Sequence, residues 1–274
     1  CDWLGSDGRY FTTQPDTPFE TYVGDSKRRA QQALKASGLL AASTSQAPLT
    51  FAALFPDVSQ PRPLQLAIDE IPELILQQPS LTIIEAPTGE GKTEAALALA
   101  HRIARAGEGE ELFYALPTMA TSNQMFVRLQ KHLQGRLSVD THIKLVHGQS
   151  FLIEDELRVD PLRNGGAKEQ DDPRLASLQW FSGRKRALLA PFGVGTIDQA
   201  ELAALNTRHA ALRMFGLAGK VVIVDEVHAY DTYMTTIIEQ LLRWLAALDT
   251  SVILLSATLP LSRRRGHRPF ALPQ

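Results

Sequence analysis

The chain has 274 residues, 44% of them hydrophobic and 21% charged, with a formal net charge of −2. That is enough apolar material for one large domain or a domain with appendages. It excludes a generally polybasic nucleic-acid coat, though not a local basic groove. Cys1 is the only cysteine, so an intrachain disulfide is excluded and a cysteine-based zinc site is not expected. No apolar run approaches the roughly 20 residues of a membrane-spanning helix, so a soluble, cytoplasmic protein without a membrane partner is the default expectation.

In chain order, Cys1–Phe11 reads as the end of a helix running into a turn at Gly5–Gly8. Because the chain starts with Cys inside a sequence that already reads as structured, a piece of a longer protein is expected. Thr12–Gln60 is rich in Pro, Ser, Thr, Gln and Ala, with one amphipathic stretch at Asp25–Leu40. That composition predicts a linker with a short helix.

From Pro61 onward, short apolar runs alternate with helical patterns. Strands are expected at Leu81–Glu85, Leu112–Leu116, Ile143–Val146, Ala187–Ala190, Val221–Asp225 and Val252–Leu255. They are apolar and largely unalternated, as strands covered on both faces are. Helices are expected at Lys92–Arg105, Ser122–Leu133, Thr196–Leu205 and Tyr233–Leu248. Strand and helix in turn predict an α/β fold with a mainly parallel sheet flanked by helices. The polar stretch Glu154–Arg184 reads as a surface insertion, and nothing after Leu259 is periodic.

The run "EAPTGEGKTEAALALAHRI" joins the first strand to the first long helix. Its turn, Ala86 to Thr93, reads as a phosphate loop: Pro87, Thr88, Gly89, Glu90, Gly91, Lys92 and Thr93 follow the alanine that stands at the pattern's first glycine. Backbone N–H groups at a helix N-terminus carry partial positive charge and point at an anion. The glycines let the backbone curl, Lys92 reaches the β- and γ-phosphates of ATP, and the Thr93 hydroxyl ligates Mg²⁺. An ordinary strand–turn–helix connection is the plain alternative.

A nucleotide site also needs an acidic residue at the end of a buried strand, and "KVVIVDEVHAYD" supplies one. Asp225 would hold Mg²⁺ through water, and Glu226 would orient or deprotonate the attacking water. A surface Asp-Glu pair capping the next helix is the alternative.

"DEVH" (Asp225–His228) followed by "SAT" (Ser256–Thr258) resembles motifs II and III of superfamily-two helicases, which implies that His228, Ser256 and Thr258 link the γ-phosphate to a nucleic-acid groove. "PRPLQ" resembles a Q motif, with Gln65 facing adenine. "ALPTMATSNQMF" and "GVGTIDQ" resemble motifs Ia and Ib, with Pro117, Thr118 and Thr196 placed for DNA phosphates. Simple N-capping is the plain alternative for both threonines.

Together with "LLAPFGVGTIDQAELAAL" and "RHAALRMFGLAGKVVIVDEVHAYDTYM", these runs resemble the HD-nuclease/DExH-helicase of type I CRISPR-associated systems up to about Pro260. "DWLGSD" resembles the last helix of that family's HD domain, with Asp2 as a metal ligand and Ser6 beside it. The resemblance implies residues 1–20 as an HD-domain tail, 21–60 as linker, 61–262 as the first RecA-like domain and 263–274 as an irregular tail. It further implies ATP and Mg²⁺, a divalent transition metal at the HD site of the intact protein, single-stranded DNA as substrate, and a guide-RNA surveillance complex as recruiter. Asp2 alone cannot assemble a two-metal centre, so nuclease activity is not expected of this chain. Motors of this kind close a nucleotide between two RecA-like domains, and only one is legible here, so weak ATP binding with little hydrolysis is expected. The rival readings are a general DExH-type DNA or RNA helicase and a catalytically silent module that docks DNA or the surveillance complex.

Overall fold

A computed structural model describes residues 5–11, 17–36, 50–107, 111–134, 143–146, 187–205, 207, 209–227, 230 and 232–257. The stretch 154–184 and the tail after 257 lie outside the described residues. Helix α1 covers Phe19–Ala36, starting ahead of the expected amphipathic stretch. Three short helices follow: α2 (Phe51–Leu54), α3 (Pro63–Asp69) and α4 (Glu73–Leu76). The Thr50 hydroxyl caps α2 by accepting from Ala53 N at 3.3 Å. Helix α3 opens on proline, whose missing N–H is no loss at a first helical position. The Asp69 carboxylate accepts from Phe51 N, and Arg102 donates to the carbonyls of Ile68 and, at 2.7 Å, of Ile71. These bonds tie the short helices to the domain, and Phe51, Leu54, Ile68 and Leu76 join its core.

The remaining elements alternate: β1 (Leu81–Glu85), α5 (Lys92–Ala106), β2 (Leu112–Leu116), α6 (Met119–Gln134), β3 (Ile143–Val146), β4 (Phe192–Thr196), α7 (Ile197–Ala204), α8 (Ala210–Leu217), β5 (Val221–Val224), α9 (Thr232–Ala247) and β6 (Val252–Ser256). The six strands form one sheet in the order β1-β6-β5-β2-β4-β3, and each neighbouring pair is parallel.

Side chains of a strand alternate between faces, so each strand feeds two cores. Tyr114, Val194, Ile223 and Leu255 pack with α5 and α6 through Leu97, Leu99, Phe126 and Leu129. Phe113, Val222, Val224 and Leu254 pack on the opposite face with Ile197, Leu217, Ile238, Leu241 and Leu245 of α7, α8 and α9. Double coverage explains the continuous apolar strands of the sequence.

One expected strand is corrected. Ala187–Leu189 is a turn of 3₁₀ helix, and the strand lies further on, at Phe192–Thr196. The buried Lys220 amine explains the turn: it donates to Leu188 O at 2.7 Å and to Ala190 O, holding those carbonyls away from any ladder. Helix α8, also unread in the sequence, lies against the same turn. A Cβ at Gly216 would stand 2.8 Å from Leu188 O, so only glycine permits this approach.

Burial lowers the Lys220 amine to about 8, with the Glu111 charge opposing the shift. Unfolded, the amine titrates near its ordinary 10.5. Between those values the folded chain binds fewer protons, so this group's contribution to stability rises with pH across the window. Thermal unfolding from pH 7.5 to 9.5 tests it: the melting temperature of the wild type is expected to gain on that of Lys220→Met as the pH increases.

Candidate functional site

Because the strands are parallel, the loops that follow β1, β6, β5, β2 and β4 all leave one edge of the sheet. The loop after β1 turns back into α5 through Gly89 and Gly91, whose φ angles are +88° and +75°. Gly91 is the N-cap of α5, and no side chain caps that helix start. The first N–H groups of the helix therefore remain available to an anion. Lys92 is buried, and its amine donates to Ala86 O at 2.6 Å and Pro87 O at 3.0 Å. An ammonium carries three donors, so one remains for a phosphate oxygen.

Gln65 is buried over this loop. Its amide oxygen accepts from Arg62 N at 3.0 Å, half of a capping box for α3, and its amide nitrogen lies 3.4 Å from Gly91 O. A Cβ on Gly91 would stand 2.1 Å from that nitrogen. Arg62 also pairs with Glu90 of the loop at 2.8 Å. Thr88 and Gly89 are exposed.

Asp225 follows β5 directly and is held at its N–H, its carbonyl and both carboxylate oxygens. Its N–H donates to Ala115 O at 2.9 Å, and its carbonyl accepts from the Tyr230 hydroxyl at 3.0 Å. One carboxylate oxygen accepts from Glu226 N at 2.8 Å and the other from the Tyr114 hydroxyl at 2.7 Å. Burial pushes the Asp225 carboxyl up from its ordinary range, while the two hydrogen bonds and the Lys92 charge pull it down. The Lys92 charge thus reaches Asp225, and Arg128 of α6 feels the Asp225 charge in turn. Burial, with the Asp225 charge, keeps the Tyr114 phenol protonated well above its ordinary value, so it serves as a donor. Glu226 adopts φ +54°, rare for a residue with a side chain, on the turn that leaves the strand.

Leu116 and Thr196 are register partners, so the turns after β2 and β4 are neighbours on the same edge. Thr118 caps α6, its hydroxyl accepting from Thr121 N at 3.2 Å. Thr196 is the N-cap of α7 but makes no side-chain cap bond, and it is buried. Pro117 is half-buried. Ser256 is buried at the end of β6, and its carbonyl accepts from Ala86 N at 3.2 Å, tying the phosphate loop to the neighbouring strand. Asp2, His228 and Thr258 lie outside the described residues, and Ser6 is exposed.

Sequence reading overlooked Tyr114, Tyr230 and Arg128. Tyr114 sits inside the apolar run "LFYAL", where a tyrosine is ordinary core material. The one signal was a hydroxyl inside a strand expected to be covered on both faces, since a buried hydroxyl needs a partner.

A family model described as DEAD/DEAH box helicase matches residues 67–265. The chain is 41% identical to the CRISPR-associated endonuclease/helicase Cas3 of Thermus thermophilus, over 97% of this chain and 29% of that protein. It superposes on the crystal structure of T. fusca Cas3-ADP with a TM-score of 0.82 and 41% identity, over 97% of this chain and 29% of the other. A structure described as a CRISPR RNA-guided surveillance complex, pre-nicking, contains a chain matching at a TM-score of 0.59 and 34% identity, over 97% of this chain and 25% of that one. The chain therefore spans under a third of the length of these proteins.

Gly91→Ala combines a left-handed φ with a collision against Gln65, and is expected to cost more than about 1 kcal/mol in chemical denaturation. Gly107→Ala, at φ −91° with its nearest contacts at 3.7 Å, is the control and is expected to stay neutral or stabilise slightly.

Proposed function

The chain belongs to the DEAD/DEAH box helicase family, and we propose that it is the first motor domain of a CRISPR-associated helicase–nuclease. In this reading it binds ATP and Mg²⁺ between the loop at Ala86–Thr93 and the Asp225 carboxylate. The observation that carries the reading is the convergence of Lys92 and Asp225 at the carboxyl edge of one parallel sheet. The identity to Cas3 proteins over nearly all of this chain supports it, as does the superposition on Cas3-ADP.

The donor set suits a metal–triphosphate. A lysine N–H and the uncapped N–H groups of α5 would face the anion, and a hydroxyl and a carboxylate oxygen are hard ligands of the kind Mg²⁺ takes. When bound, Mg²⁺ neutralises phosphate charge and fixes the γ-phosphate for attack by water. Lys92 and the loop N–H groups would orient the phosphates, and Thr93 and Asp225 would hold the metal. Glu226 would position or deprotonate the attacking water. Gln65 keeps one amide N–H beyond its two bonds, which it would offer to adenine.

Single-stranded DNA is proposed to cross the same edge at the turns after β2 and β4. There the main chain of Pro117 and Thr118 at the start of α6, with Thr196 beneath, would meet its phosphates, while Ser256, His228 and Thr258 would couple that contact to the nucleotide. The hydroxyl of Thr118 is engaged in its cap and that of Thr196 is buried, which favours backbone donors for this contact.

In the intact protein a surveillance complex would recruit the motor, and the fused HD domain would cut the strand using a divalent transition metal, with Asp2 a ligand and Ser6 adjacent. Asp2 alone cannot assemble a two-metal centre, so cleavage is proposed for the intact protein alone. The proposed division is an HD-domain tail (1–20), a linker (21–60), a motor domain (61–262) and a tail (263–274), and the match over residues 67–265 falls almost wholly on the motor domain. No helix of the described residues is long and apolar enough to cross a membrane, and a cytoplasmic site of action accords with a DNA substrate.

Calorimetry of the 274-residue chain with ATP and Mg²⁺ tests the nucleotide reading. Binding that falls at least tenfold in Lys92→Ala is expected. Turnover is expected to stay far below that of a two-domain motor, since an arginine supplied by a second domain is worth about 10³–10⁵ in rate. Equal binding by wild type and Lys92→Ala would overturn it. DNA binding without nucleotide and indifferent to Asp225→Ala would indicate a silent docking module instead. Cleavage by the full-length protein that ignores the surveillance complex would indicate a general helicase.

A further inference from the structure

We infer that Tyr114 is a positioning residue for the metal side of this site, its phenol locking the Asp225 carboxylate in one orientation beneath the phosphate loop. The inference rests on the nucleotide reading above and assigns a residue that the helicase motifs do not include.

The geometry begins with register. Tyr114 on β2 is the partner of Ile223 on β5, so Asp225, two residues on, projects from the same face of the sheet. That face is the one covered by α5, the helix that begins at Lys92 and Thr93. Tyr114 is fully buried, and its hydroxyl lies 2.7 Å from the carboxylate. A tyrosine here is not explained by packing alone. Phenylalanine would fill the same volume, while a hydroxyl taken from water costs roughly 1–3 kcal/mol unless it finds a partner. The partner it finds is a charged acceptor, which makes the bond one of the stronger kind.

The consequence for Asp225 follows from counting lone pairs. An ionised carboxylate offers about four acceptor sites. One on each oxygen is taken, by Glu226 N and by Tyr114. Rotating the carboxylate would break both bonds at once, so the free sites are fixed in direction. Thr93, at the start of α5, also acts on the Tyr114 phenol. Partners of metal ligands typically contribute 10- to 100-fold in metal affinity when removed.

The experiment measures ATP binding by calorimetry on the 274-residue chain, once in EDTA and once across a Mg²⁺ titration, for wild type, Lys92→Ala and Tyr114→Phe. The phenylalanine variant is expected to keep its Mg²⁺-free ATP affinity within about twofold while its Mg²⁺ half-saturation rises about 10- to 100-fold. A folded Tyr114→Phe with wild-type Mg²⁺ dependence overturns the inference, as does a loss of ATP affinity that is equal with and without Mg²⁺. Should Tyr114→Phe fail to fold, 3,5-difluorotyrosine at position 114 keeps the shape and strengthens the donor. The Mg²⁺ half-saturation is then expected to move by more than about threefold while the Mg²⁺-free affinity stays fixed, and an unmoved value overturns the inference. If Lys92→Ala binds ATP as wild type does, the nucleotide reading falls and takes this inference with it. If Lys92→Ala loses ATP while Tyr114→Phe keeps its Mg²⁺ response, the inference alone falls.

Discussion

Six strands running in one direction place all their carboxyl ends along a single rim. Parallel strands cannot be joined by tight hairpins, so each must be followed by a crossover, and the first residues of that crossover are delivered to the same rim. The phosphate loop, the Asp-Glu turn, the turn into α6, the start of α7 and the end of β6 are therefore neighbours, although they come from segments scattered between residues 86 and 256. Burial on both faces keeps the sheet rigid beneath them, which gives the rim fixed spacing.

Within that rim the most constrained residue is Asp225. Burial opposes its charge, and the surroundings answer with two hydrogen bonds to the carboxylate, a nearby ammonium and two further bonds to its backbone. A carboxylate so placed is costly to bury and is held in one geometry once buried. Glu226, next in the chain, has a backbone conformation that costs of order 1–3 kcal/mol, tolerable because its neighbour is gripped on all sides. Tyr230 extends the grip: it bonds the Asp225 carbonyl and feels the charges of Glu201 and Asp198 on α7. The turn after β5 and the helix after β4 are thus electrostatically connected through one buried phenol.

The opposite edge of the sheet follows another logic. Lys220, just before β5, uses its buried amine to gather the carbonyls of the 3₁₀ turn, while Gly216 lets α8 close over that turn. These contacts shape the entry into β4 and thereby the position of Thr196 at its other end. At the amino-terminal side, Asp69 and Arg102 fasten the short helices that carry Gln65 over Gly91. In both places a charged side chain satisfies backbone groups that an irregular segment would otherwise leave unpaired in the interior.

The sequence by itself determined the α/β class, the placement of five of the six strands and the residues at the ends of β1 and β5, because apolar run length and the glycine–lysine–threonine turn are local signals. The first three strands begin and end where their apolar runs do. It misplaced the strand before α7, since "FGVGT" hides a strand behind two glycines while the more apolar "ALLA" next to it is held in a turn by a lysine thirty residues later. Tertiary structure alone decided which strands became neighbours, and so that Tyr114 would meet Asp225 across 111 residues of chain. A tyrosine in an apolar strand carries no mark of its partner. Only the register of β2 against β5 brings the phenol within hydrogen-bond distance of the carboxylate, and pairing between distant strands is a property of the whole sheet rather than of either segment.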